Sequence, residues 1–192
     1  MKHILLILSL GILTSSGYAG QQKDSDTEAE IARAKSTIKQ FAGALQTELK
    51  TAMQAGGPVA AIGVCHTQAM PITAQVAAEH GIQLSRVSLK NRNPANVPND
   101  WQVAVLKDFD RQQAAGKDIT KLAWSETVTV DNGQEFRFMK AIPTGDVCLK
   151  CHGSQLAPEV VQVLADIYPD DRATGYKVGD IRGAFVVTRV VE

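Results

Sequence analysis

The chain has 192 residues, 44% apolar and 21% charged, which is enough length and apolar content for one ordinary domain with a buried core. That composition excludes wholesale disorder and collagen-like repetition. Twenty Lys and Arg balance twenty Asp and Glu with no block of either sign, so the charge pattern of a nucleic-acid binder is missing.

Lys2 and His3 precede an apolar run from Ile4 to Leu13, and small residues follow up to Gly17-Tyr18-Ala19. This order describes a secretory signal peptide over residues 1–19, and the run is too short to cross ~30 Å of hydrocarbon. Cleavage after Ala19 leaves a periplasmic protein with no stable membrane insertion. Residues 20–26 are polar and patternless and read as a flexible leader, followed by a single domain over 27–192. Export changes the meaning of the cysteines. In an oxidising compartment thiols are usually paired, yet Cys65, Cys148 and Cys151 are three, so one is left over under any disulfide scheme.

A helix is expected from about Thr27, where Thr27 and Glu30 have capping-box spacing. Ile31, Ile38, Phe41, Leu45, Leu49 and Met53 recur on one face of it, and Gly56-Gly57-Pro58 ends it. A second apolar segment runs from Val59 to Ala69, is interrupted at Pro71 and resumes through Val76 to a Gly81 cap. Leu84, Val87 and Leu89 form a short strand-like run. The stretch from Asn91 to Asp100, with four Asn and two Pro, reads as loop. Asp100 is the expected N-cap of a helix that carries Trp101, Val105, Leu106 and Phe109 and ends near Gly116. Trp124 to Val130, the turn Asp131-Asn132-Gly133 and a return strand with Phe136 and Phe138 make a β-hairpin. A helical stretch from Val160 to Ile167 and a strand from Ile181 to Val191 complete an α+β domain.

Cys148-Leu149-Lys150-Cys151-His152 carries the chemistry. Two thiols separated by two residues can add to the two vinyl groups of one haem, and the adjoining His is then an axial ligand. The motif agrees with export, because c-type haem is assembled outside the bacterial cytoplasm. A thioredoxin-like dithiol would not need the His, and a zinc site would need a second Cys pair that the chain lacks. The motif occurs once, so the expected cofactor is one covalent haem c per chain, attached by the cytochrome c maturation machinery. Met53, Met70 and Met139 all precede it, which disfavours the small electron-transfer cytochromes that take a downstream Met. Cys65, His66 and His80 remain as second axial candidates, with the three Met residues behind them. Cys65 and His66 are one helical step of ~100° apart, so only one of them faces the iron. Their apolar neighbours do not separate them. The unpaired state of Cys65 favours the thiol, and His80 beside the Gly81 cap suits a helix C-terminus.

Cys65 with the Met70-Pro71 break, Arg86-Val87-Ser88-Leu89-Lys90, Asn91-Arg92-Asn93-Pro94-Ala95-Asn96, the late CxxCH and Gly179-Asp180-Ile181-Arg182-Gly183-Ala184 together resemble the PAS-like c-haem sensor domain family. The resemblance covers Ile31 to Val191. It implies a PAS-like antiparallel sheet with N-terminal helices packed around one covalently bound haem, whose axial pair is carried here by His152 and Cys65. No kinase or cyclase follows the domain in this sequence, so the resemblance specifies no output.

Arg86, Arg92 and Arg182 are candidates to neutralise haem propionates, and Arg92 and Arg86 are the ones expected to bind the cofactor. Trp101, Trp124, Phe136 and Phe138 could wall the haem or simply pack the core. The functional expectation is a redox or small-gas sensor, responding to NO or CO, with a redox or signalling protein as partner. A periplasmic electron carrier without ligand switching is the alternative. No acid–base pair is placed to run a reaction, so the chain is not read as an enzyme.

Overall fold

The computed structural model describes residues 16–131 and 133–191. The apolar core of the signal-peptide reading, within residues 1–15, lies outside the described residues. Helix α1 (Ser16–Thr67) already runs through 20–26, the stretch read from composition as a flexible leader. No Pro stands between Ser16 and Thr27, and Ala19, Gln21, Gln22 and Lys23 there are good helix formers. Thr27 and Glu30 therefore sit inside the helix rather than at its cap. Glu30 is instead ion-paired with Arg189, far along the chain.

The Gly56-Gly57-Pro58 break does what its residue types dictate. Gly56 and Gly57 leave helical geometry, Gly57 with φ 67°, and the helix restarts with Pro58 in its first turn, where a missing N–H costs nothing. Helix α2 (Ala69–His80) tolerates Pro71 for the same reason and ends on Gly81 in the left-handed conformation. Strand β1 (Gln83–Val87) follows and ends two residues before Leu89. Helix α3 (Asp100–Ala114) is capped by Asn99, not Asp100. The Asn99 side chain accepts from the Gln102 N–H at 3.2 Å, and the Gln102 side chain accepts from the Asn99 N–H at 3.0 Å. The N-cap thus lies one residue earlier than expected, because Gln102 supplies the return bond of a capping box.

Strands β2 (Ala123–Val130) and β3 (Gly133–Pro143) form the hairpin, and β4 (Ile181–Val191) inserts between β3 and β1. The sheet order is β1-β4-β3-β2, antiparallel throughout. Alternation along the strands feeds two cores. Phe136, Phe138, Leu84 and Val187 meet Ala34, Ile38 and Phe41 of α1 and Val76 of α2 on one face. Met139, Ala141, Val87, Ala184 and Val186 meet Val105, Leu106 and Phe109 of α3 on the other. The α+β architecture is therefore that of the sequence reading, with helices on both sides of a four-stranded sheet. A one-turn helix α4 (Leu149–His152) and helix α5 (Pro158–Ile167) lie in the long β3–β4 connection. Val160 and Leu164 of α5, with Tyr168, pack against Ile62 of α1, and this third cluster fixes the post-break segment of α1 in rotation.

Phe109 is wholly buried between α3 and the sheet. Phe109→Ala is expected to lower unfolding free energy by about 3–5 kcal/mol, measured by urea denaturation.

Candidate functional site

A cleft with about 1210 Å³ of empty space, part of it open to solvent, lies where α1, the end of β1 and the β3–β4 connection converge. Leu45, Leu49 and Met53 line it from before the α1 break, and Ala61, Ile62 and Cys65 from after it. Ile142, Val147 and Tyr168 extend the apolar wall.

Cys148 closes a 3-10 turn and is the N-cap of α4, so Cys151 three residues on shares its face. Both thiols are free and both line the cleft. Gly153 lets the turn close. Its N–H donates to the Leu149 carbonyl at 3.0 Å, and a Cβ there would stand 2.6 Å from that same oxygen. Among the described residues no group of three or more His, Cys, Asp or Glu side chains is placed to hold a metal ion, so the Cys pair has no further donors for a zinc site.

His152 lines the cleft and its Nδ1 donates to the Ala173 carbonyl at 2.7 Å. A carbonyl only accepts, so the proton is on Nδ1 and Nε2 keeps its lone pair. Burial, and after it the charges of Arg92 and Arg182, push the imidazole pKa down to about 3. The ring is neutral and competent as a ligand. Burial also pushes the Cys65 thiol above its ordinary range, against the opposing charges of Arg86, Arg182 and Arg92. A thiol in that setting becomes a thiolate when a strong positive centre binds it.

The second-ligand candidates fall apart in space. Cys65 lines the cleft, whereas His66 is exposed and its ring meets the edge of Tyr168 at 5.5 Å between centroids. His80 is bonded to Gln40 at 2.7 Å at the end of α2. Met70 is exposed, Met139 is buried in the α3-side core, and Met53 alone of the three lines the cleft.

The three arginines line the cleft but are not equivalent. Arg92 is committed elsewhere: it forms an ion pair with Asp171 at 3.1 Å, and Nη2 also donates to the Cys151 carbonyl at 2.6 Å. It braces the loop, so the reading of Arg92 as a partner for haem carboxylates does not match its contacts. Arg86 lies over the Phe41 ring at 5.3 Å, and Arg182 has a buried Nε with no hydrogen-bond partner. Among the described residues neither Arg86 nor Arg182 is in an ion pair. Two such guanidinium groups beside an apolar cleft call for an anionic partner.

Trp101, Trp124, Phe136 and Phe138 do not line the cleft. The two Trp rings stack at 5.6 Å under Arg137, and the two Phe rings fill the α1/α2 core. The Asn/Pro loop is held by its own turns, with the Asn93 side chain accepting from the Ala95 N–H at 2.9 Å, and Asn91, Asn93 and Asn96 reach the cleft. Asp171, Ala173, Tyr168 and Tyr176 escaped the sequence reading. Ala173 works through backbone groups that leave no signature in residue type, and Asp171 through a carboxylate that its neighbours in sequence do not single out.

The set of donors fits a haem: two free thiols on one turn, a neutral imidazole, a half-buried thiol far away in sequence, apolar walls and two arginines outside any ion pair. No curated protein matches this chain. The crystal structure of the cyanobacterial haem protein Tll0287 does match, with a TM-score of 0.62 and 25% identity, over 85% of this chain and 96% of that one. A family model described as Tll0287-like matches residues 21–189, and the chain belongs to the Tll0287-like family.

Proposed function

We propose that this chain is an exported monohaem c-type cytochrome, attached through Cys148 and Cys151 with His152 and Cys65 as axial ligands, that senses redox state or a small gas. The observation carrying the reading is that these four residues line one cleft while His66 faces out of it. Membership of a family whose solved relative is a haem protein supports the cofactor. Bound there, the haem would supply one-electron chemistry and a position able to take NO or CO.

The residues divide the remaining work. Ala173 holds the His152 ring in one tautomer. Arg86 and Arg182, which line the cleft, would take the carboxylates, and Leu45, Leu49 and Ile62 would keep water from the faces. Cys65 is the labile partner, because burial favours its protonated form once the positive centre that held it is weakened. It stands on the α1 segment beyond the break at Gly56 and Gly57.

Carbon monoxide is expected to change the absorption spectrum of the reduced wild-type holoprotein within seconds and to leave the oxidised protein unchanged. A reduced protein that ignores carbon monoxide yet exchanges electrons rapidly would instead identify an electron carrier in which neither ligand moves.

A further inference from the structure

We propose that Arg92, Asp171 and the backbone of Ala173 form a positioning device that sets the orientation and donor strength of His152. The inference rests on the haem reading above and adds a role for residues outside the ligand set.

The His152 Nδ1–H donates to the Ala173 carbonyl at 2.7 Å, and Ala173 is itself clamped from two sides. Its N–H donates to Asp171 Oδ1 at 2.8 Å, and its carbonyl also receives a long bond from Arg92 Nη2 at 3.4 Å. The two clamps are joined, since Arg92 Nε donates to Asp171 Oδ2 at 3.1 Å. Arg92 Nη2 reaches the Cys151 carbonyl as well, so one guanidinium spans the attachment turn and the loop that holds the imidazole. The side chains of Arg92 and Asp171 are 12% and 10% exposed, which keeps their interaction from being screened away by water. Backbone bonds lace the same segment together, with the Tyr176 N–H donating to the His152 carbonyl and the Arg172 N–H to the Asn91 carbonyl.

A ring N–H bonded to a carbonyl makes the opposite nitrogen a better donor, and such outer partners orient metal-bound His rings. Here the acceptor is tuned by charges of opposite sign. Arg92 withdraws electron density from the Ala173 carbonyl and opposes positive charge at the ring. Asp171 favours it. Loss of Arg92's charge stabilises the oxidised site, and loss of Asp171's charge destabilises it.

The test is the midpoint potential of purified holoprotein by spectroelectrochemistry at one pH. Arg92→Met is expected to lower the potential, Asp171→Asn to raise it, and Arg92→Lys, which keeps the charge but not the fork, to fall between wild type and Arg92→Met. Should Arg92→Met yield no holoprotein, Arg92→Lys and Asp171→Asn still give the opposed shifts. A purely structural brace would move both variants in the same direction, and that result, or no movement in either, overturns the proposal. Wild-type protein without haem would overturn the haem reading instead, so the two failures are distinguishable.

Discussion

Cys65→Ala changes the absorption spectrum of the oxidised holoprotein and His66→Ala leaves it as in wild type. The two residues are neighbours in sequence, and only their rotation about α1 separates them. Ile62, three residues before Cys65, is packed between Val160, Leu164 and Tyr168, and this turns Cys65 into the cleft and His66 out against the Tyr168 edge. Removing an exposed ring that touches the edge of Tyr168 takes away no group that itself lines the cleft. Removing the thiol takes away the buried sulfur that faces the cleft, opposite in origin to the CxxCH turn. His152→Ala should act at least as strongly, since it deletes the neutral imidazole whose tautomer Ala173 fixes. Each variant is read by resonance Raman of the oxidised protein. An unchanged spectrum in Cys65→Ala would rule out sulfur ligation by that residue.

Gly183→Ala is expected to destabilise the fold by about 2–4 kcal/mol, enough to lower the melting temperature by roughly 5–15 °C in a chain of this size. Gly183 has φ 150°, and a Cβ built on it would stand 2.3 Å from the Val87 carbonyl oxygen and 3.2 Å from the Ser88 Cβ. The neighbour that must move is backbone at the end of β1, so the clash has no flexible side chain to absorb it. Val87 and Ser88 also form one wall of the cleft, next to Arg86. The same substitution should therefore loosen the site as well as the sheet. Differential scanning calorimetry of the variant and wild type checks the first effect, and a melting temperature equal to wild type would show that the close approach is not required.

Much of this was legible in the residues. The hairpin followed from its Asp-Asn-Gly turn, the long helix from its repeating apolar face, and the α1 break from Gly56-Gly57-Pro58. The attachment motif declared itself by spacing alone, because its five residues are contiguous and form one local turn. What resisted was anything decided by packing across the chain. Whether Cys65 or His66 faces inward depends on α5, about a hundred residues later. Whether Arg92 or Arg182 is left to meet an anion depends on where Asp171 sits, and nothing in the Pro169-Asp170-Asp171 run marks which acid turns inward. Ala173 acts through a carbonyl that every residue type possesses. The N-cap of α3 moved from Asp100 to Asn99 because two adjacent residues were both good caps and the Gln102 side chain decided between them. Strand alternation sends Trp124, Phe136 and Phe138 to faces already covered by helices, and Trp101 is carried against the α3-side core by α3 itself.

Intact-mass spectrometry of the protein matured in a host competent for haem attachment, beside the Cys148→Ala/Cys151→Ala double variant, bears on all of it. Wild type should carry the added mass of one haem that survives acid–acetone extraction, and the double variant should carry none. Wild-type protein with both thiols unmodified would mean that the cleft holds no covalent porphyrin.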